Sequence, residues 1–247
     1  MGMKGLLIRV GIDQAYGGWN APVDPRSGRF VYVPIPEDPR VTFHPGLERP
    51  FTECLPALER FAKACDHSVG DLRLPPDLLR RFMHLDPDFE QLTYGDDGSR
   101  RGTGILDLVA GDLLVFYAGL RPIRPCPHKL IYGLVGLYVM QEVVMLTAVP
   151  KSRWGENAHT RKIKQGQSDV IVRARPGVSG RLDRCIPVGE WRDGAYRVCR
   201  DVFAAWGGLS VKDGFIQRSG VPPRFLDADR FYRWSLDQKV PLVNRNN

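Results

Sequence analysis

The chain has 247 residues, 43% of them hydrophobic and 10% aromatic, with no internal repeat or low-complexity stretch. That balance excludes a disordered chain and fits a globular protein with a substantial core, read as one unit spanning residues 1–247. A net charge of +7 and a pI near 9.3 point to an anionic partner, with nucleic acid or a nucleotide first.

The positive charge is concentrated. Lys151, Arg153, Arg161, Lys162, Lys164, Arg173, Arg175, Arg181 and Arg184 face only Glu156, Asp169 and Asp183 over that span. The five cysteines, Cys54, Cys65, Cys126, Cys185 and Cys199, are odd in number and show no close pairing, which argues for a reducing compartment. Residues 1–10 lack a signal peptide's long apolar core, and Leu6 stands where a myristoylation motif needs Ser or Thr. A cytoplasmic protein without a membrane anchor is expected.

Residues 6–12 read as a first strand ending at Asp13, and residues 29–35 alternate like a second. Between them lies Tyr16-Gly17-Gly18-Trp19-Asn20, where the glycines permit positive φ and close backbone approach. Tyr16 and Trp19 offer stacking faces and Asn20 a paired donor and acceptor, which suits a nucleotide. The competing reading is that Tyr16 and Trp19 plug the core.

Residues 51–65 have helical spacing, and residues 76–84 read as a short helix opened by Pro75-Pro76. The run from His84 through Asp86 and Asp88 to Glu90 carries an imidazole and three carboxylates, able to act as acid and base or to hold a divalent ion. A turn with a solvated face is the alternative. Tyr94 and Asp96 follow, and Arg100 and Arg101 lie in a glycine-rich loop before a predicted helix over 103–109, where a phosphate could bind. No Gly-Lys-Ser/Thr occurs, so nucleotide hydrolysis of the Walker type is unsupported.

The centre of the chain is two apolar runs, 113–117 and 130–140, read as buried strands joined by a proline-bearing loop. In the second, Leu130, Tyr132 and Leu134 alternate with Ile131, Val135 and Val139, so both faces should be covered, with Gly133 and Gly136 marking bulges or bends. A membrane helix over 130–149 is the rival, disfavoured by Gln141 and Glu142. Cys126-Pro-His128 resembles half a metal site, but no second half has matching spacing, and no residues are assigned as metal ligands from spacing alone. Beyond it, Trp154, Asn157, His159, Arg161, Lys162 and Lys164 mix cations, an indole, an amide and an imidazole as a nucleic-acid surface does, against the plainer reading of a solvated basic loop. Residues 170–174 and 181–188 read as strands, 196–206 as helix or strand, and 225–237 as a closing helix with Phe231 and Trp234 inward.

Together, residues 16–22, 84–89, 93–96 and 111–120 resemble the third family of nucleotide-modification-associated domains, found in phages and bacteria beside genes for DNA base modification. The resemblance implies that setting, with nucleic acid or a nucleotide and DNA-modification enzymes as partners. The order of strands and loops is also similar to the small barrels of the PUA, ASCH and EVE group, some of which hold a flipped base, which is an analogy of fold. The expected class is α+β, with a mixed, mostly antiparallel, PUA-like barrel sheet and covering helices.

Three functions follow. The first is binding of a modified base or nucleotide, with Tyr16, Gly17, Gly18, Trp19, Asn20, Tyr94, Arg100, Arg101, Trp154, Asn157, His159, Arg161, Lys162 and Lys164 as contacts. The second is an enzyme of base or nucleotide modification with Asp13, His84, Asp86 and Asp96 as acid, base or metal ligand, although no cofactor motif accompanies them. The third is an interaction subunit of a modification complex.

Overall fold

The computed structural model describes residues 2–98, 103–164, 166–217 and 221–247. In chain order the strands are β1 (Gly5–Arg9), β2 (Pro22–Val23), β3 (Ile35–Pro36), β4 (Met83–His84), β5 (Thr93–Asp97), β6 (Leu113–Pro122), β7 (Ile131–Met145), β8 (Asp169–Ala174), β9 (Gly180–Pro187), β10 (Gly189–Arg192), β11 (Ala195–Val198) and β12 (Leu242–Val243). The α-helices are α1 (Leu55–Ala64), α2 (Thr103–Leu106), α3 (Arg200–Ala205) and α4 (Ala228–Asp237).

Ten consecutive residues of β7, from Ile131 to Met140, are buried, because this strand is covered on both faces. It pairs antiparallel with β6, β8 and β9, and is the hub of an eight-stranded sheet whose main path runs β1-β6-β7-β8-β5. The run from 130 onward is therefore a strand, and no helix among the described residues is long and apolar enough to cross a membrane. Among the described strands, β1 and β2 alone run parallel to their neighbour, β6.

The alternation along β7 breaks where its register with β6 shifts, between Phe116 and Tyr117. Ile131 and Val135 lie in one core cluster, but Tyr138 and Met140 join it while Val139 joins the opposite one. One extra residue in β7 flips every later side chain, so Val139 does not share a face with Ile131 as strict alternation predicts. Gly136 sits at that bulge: a Cβ there would be 2.4 Å from Phe89 Cε1.

One face of the sheet is covered by α1, through Leu58 and Phe61, and by Trp19 and Phe51. The other carries Trp206, Phe225 and Phe231, with Trp206 and Phe231 edge to face at 5.1 Å. Residues 225–237 close the fold as expected, and 196–206 prove to be strand and helix in succession, β11 then α3. The predicted helix over 76–84 shrinks to a 3-10 turn at Leu78–Arg80, because the backbone of Phe82 and Met83 bonds instead to Glu37 and Arg49. The predicted strand over 29–35 is buried and extended but pairs only at Phe30 and at Ile35–Pro36, since Pro34 and Pro36 have no N–H for a ladder.

Strands β1 and β5, at the two ends of the main path, line one cavity. The sheet curls until its edges face each other, yet no hydrogen-bonded pairing joins them among the described residues. The architecture is thus α+β with a large, mostly antiparallel sheet, and the described residues form no closed barrel of the PUA kind.

Trp19 is 8% exposed, belongs to the core cluster and does not line the cavity. Trp19→Ala should lower folding stability by about 3–5 kcal/mol through the hole it leaves, read as an early thermal transition by circular dichroism. A variant melting like the parent would place the indole outside the core.

Candidate functional site

The cavity between the sheet edges measures about 730 Å³. Its floor is built by three segments. Strand β4 delivers His84, and Asp86 follows two residues on. The 3-10 segment Lys151–Glu156 leads into the turn that carries Asn157 and His159. Strand β5 supplies Tyr94, Gly95, Asp96 and Asp97 to the wall.

Asp86 is buried, and its carboxylate accepts the Gly95 amide at 3.0 Å through each oxygen and the Asn157 side-chain amide at 3.0 Å through Oδ1. Its Oδ2 faces two imidazoles, 3.9 Å from His84 Nε2 and 3.8 Å from His159 Nε2. Those separations are too long for hydrogen bonds. On their far sides the rings are held by other carboxylates: His84 Nδ1 lies 2.8 Å from Glu37 Oε2, and His159 Nδ1 lies 2.7 Å from Asp169 Oδ2. An ionised carboxylate only accepts, so each ring donates through Nδ1 and turns an Nε2 lone pair toward Asp86.

The charge states of Glu37 and His84 agree with that geometry. Burial pushes Glu37 up, but the His84 ring N–H and the Lys162 ammonium, 2.9 Å away, outweigh it and hold the carboxylate at about 2, hence ionised. Burial lowers His84 to about 4, which keeps the ring neutral. Burial raises Asp86 to about 7, against the pull of His159, Gly95 and Asn157. Ligand-type atoms of His84, Asp86 and His159 all lie within 4.8 Å of one another, and among the described residues these three could hold a metal ion. Spacing alone assigns no such set, because His159 is remote in the chain. Cys126 is no part of it; its thiol contacts the His128 carbonyl in a local turn.

Asp13 and Asp96 line the same cavity but not its floor cluster. Asp13 accepts the amides of Ala15 and Tyr16 through Oδ1 and pairs with Arg9 at 2.8 Å, so it shapes the turn. Asp96 accepts the Tyr94 hydroxyl at 2.8 Å. Tyr16 is 53% exposed on the cavity lining, whereas Asn20 is buried there and donates to the Gly119 carbonyl at 2.7 Å. Gly17 has φ +112°, and a Cβ there would be 2.6 Å from Ile12 Cδ1.

The basic loop turns inward. Arg161 is 3% exposed and pairs at 2.6 Å with the buried Asp88. Asn157 is fully buried, Lys162 is committed to Glu37, and Trp154 stacks on His44 at 3.7 Å. None of these four presents the open phosphate-contacting surface that the sequence suggests, because buried carboxylates elsewhere in the fold recruit the cations. Lys164 remains exposed, and Arg100 and Arg101 lie outside the described residues. Glu37 and Asp169, which orient the imidazoles, carry no local signal that singles them out. On the opposite wall the sequence also leaves unmarked Arg9, Tyr132, Tyr196 and Gln217; the two tyrosine rings stack at 4.2 Å.

The family model described as nucleotide modification associated domain 3 matches residues 4–212. The chain belongs to that family. The matched span holds all five residues of the His84, Asp86, His159, Glu37 and Asp169 arrangement, so the floor of the cavity is part of the nucleotide modification associated domain 3 unit. Comparison with curated proteins and with solved structures gives no significant match.

Arg161→Met should lower stability by about 3–5 kcal/mol by leaving Asp88 buried without its cation, measured by urea unfolding. Its affinity for DNA at a given salt concentration should match the parent's. A stable variant with weakened DNA binding would return Arg161 to a phosphate-binding role.

Proposed function

We propose that this chain is an enzyme that modifies a nucleotide or nucleobase, with the His84, Asp86 and His159 cluster at its reactive centre. The observation that carries this reading is the convergence of two imidazoles and a buried carboxylate at a cavity floor, each oriented by its own hydrogen-bond partners. Such preorganisation is expected where groups must meet a reacting atom rather than merely stabilise the fold. Membership of a family associated with nucleotide modification supports the substrate class.

The cavity volume falls within the usual range for small-molecule sites of about 300–1,000 Å³, enough for a base and its sugar. Asp13, Asp86, Asp96 and Asp97 line it, and among the described lining residues the permanent cation is Arg9, already paired with Asp13. Carboxylates repel phosphates, so the base enters first and the phosphates stay at the mouth, near Tyr16. A base still in a duplex would have to be extruded to reach the floor.

Mass spectrometry of a panel of nucleotides and short oligonucleotides after incubation with the protein tests this. At least one should change mass, and Asp86→Asn should slow that change by about 10²-fold or more. Tight, base-dependent binding with no mass change under any condition would contradict catalysis and make the pocket a recognition module.

A further inference from the structure

We propose that His84 Nε2, Asp86 Oδ2 and His159 Nε2 are the three protein ligands of a divalent transition-metal ion whose remaining coordination positions open into the cavity. The argument begins with lone pairs. With both Nδ1 atoms donating to carboxylates, the two Nε2 atoms are acceptors, and an ionised Asp86 sets a third acceptor, Oδ2, 3.9 Å from that of His84 and 3.8 Å from that of His159. Acceptors facing acceptors repel unless something positive lies between them. Ligand atoms each about 2.0–2.2 Å from a shared ion stand roughly 3–4 Å apart, which the two Oδ2–Nε2 separations match, and the ligand-type atoms of the three residues all lie within 4.8 Å of one another.

The surroundings are those of a metal centre. Imidazoles that ligate metals almost always donate the other ring nitrogen to a carboxylate, carbonyl or water, and here both do so to carboxylates, Glu37 and Asp169. Asp86 Oδ1 takes the Asn157 amide and both oxygens share the Gly95 amide, so Oδ2, with one donor on it, keeps a lone pair for the shared point. Gly95 is needed beside them, since a Cβ there would lie 2.5 Å from His159 Cδ2.

Donor type narrows the ion. Two nitrogens and one oxygen favour manganese, iron, cobalt, nickel or zinc over magnesium or calcium, which prefer all-oxygen sets. Three protein ligands leave at least one position for water or substrate, the arrangement of a catalytic rather than a structural site. The ion would also offset the carboxylates of the lining, so that a nucleotide's oxygens could approach the floor. Its part in catalysis rests on the reading of this cavity as an active site; its binding does not.

The test is titration of chelator-stripped, full-length protein with Zn(II), Mn(II) and Mg(II) by calorimetry, with bound metal counted by elemental analysis. The expected result is one Zn(II) or Mn(II) per chain and at least tenfold weaker Mg(II). His159→Ala and Asp86→Asn should abolish that binding. Asp169→Asn, which touches the ion only through His159, should weaken it about 10–100-fold with an unchanged melting temperature. Cys126→Ser should bind as the parent does. Parent protein that takes up no more metal than a His84→Ala/His159→Ala double variant would overturn the site. Stripped protein that still turns over a nucleotide would overturn the ion's role and leave the enzyme reading intact; metal bound at these residues with no nucleotide altered would uphold the metal site and overturn the enzyme reading.

Discussion

Burying a carboxylate requires partners, and the short segment from Asp86 to Asp88 buries two of them. Asp86 takes the amides of Gly95 and Asn157, and Asp88 takes the Arg161 guanidinium and the Asn246 amide. Left unpartnered, each would cost several kcal/mol. Their partners come from β5, from the loop after the Lys151–Glu156 turn and from near the last residue, so satisfying these two charges ties otherwise distant segments together. The positions of both imidazoles follow from that knot.

The sheet supplies the space and the knot supplies the direction. Strands β1 and β5 end the main path on facing edges, and the gap between them is the cavity. His84 reaches its floor because β4 pairs with Ile35–Pro36, which also sets Glu37 behind the ring. His159 arrives through a loop braced by Asn157, which accepts its amide at 2.9 Å, and Asp169 at the start of β8 holds its Nδ1. Each imidazole is thus backed by an acid from a different segment, Glu37 just after β3 and Asp169 at the start of β8, and the two rings meet edge to face at 5.0 Å. The nucleotide modification associated domain 3 match spans all of these parts.

Much of the frame was legible in the sequence. The runs that became β6 and β7 are apolar on both faces, and continuous burial shows in composition directly. The flip of Val139 was not, because the bulge depends on Phe89 filling the space that Gly136 leaves, a contact between residues far apart in the chain. His84, Asp86 and His159 were each marked as chemistry-bearing, but in separate motifs with separate roles. Arg161 and Lys162 read as a surface for phosphates because sequence shows charge and not direction; their partners, Asp88 and Glu37, lie on other strands or loops. Glu37 and Asp169 were invisible for the same reason, being ordinary acids until the fold sets each against an imidazole.

The central claim is that two imidazoles donate through Nδ1 to Glu37 and Asp169 and turn bare Nε2 atoms toward a buried carboxylate. Nitrogen-15 NMR of histidine-labelled protein, stripped of metal and held near neutral pH, reads this directly, with His84→Gln and His159→Gln assigning the signals. The account predicts that both rings carry their proton on Nδ1 and none on Nε2. A proton on Nε2 of either ring would take up the lone pair turned toward Asp86 and contradict the arrangement of converging acceptors.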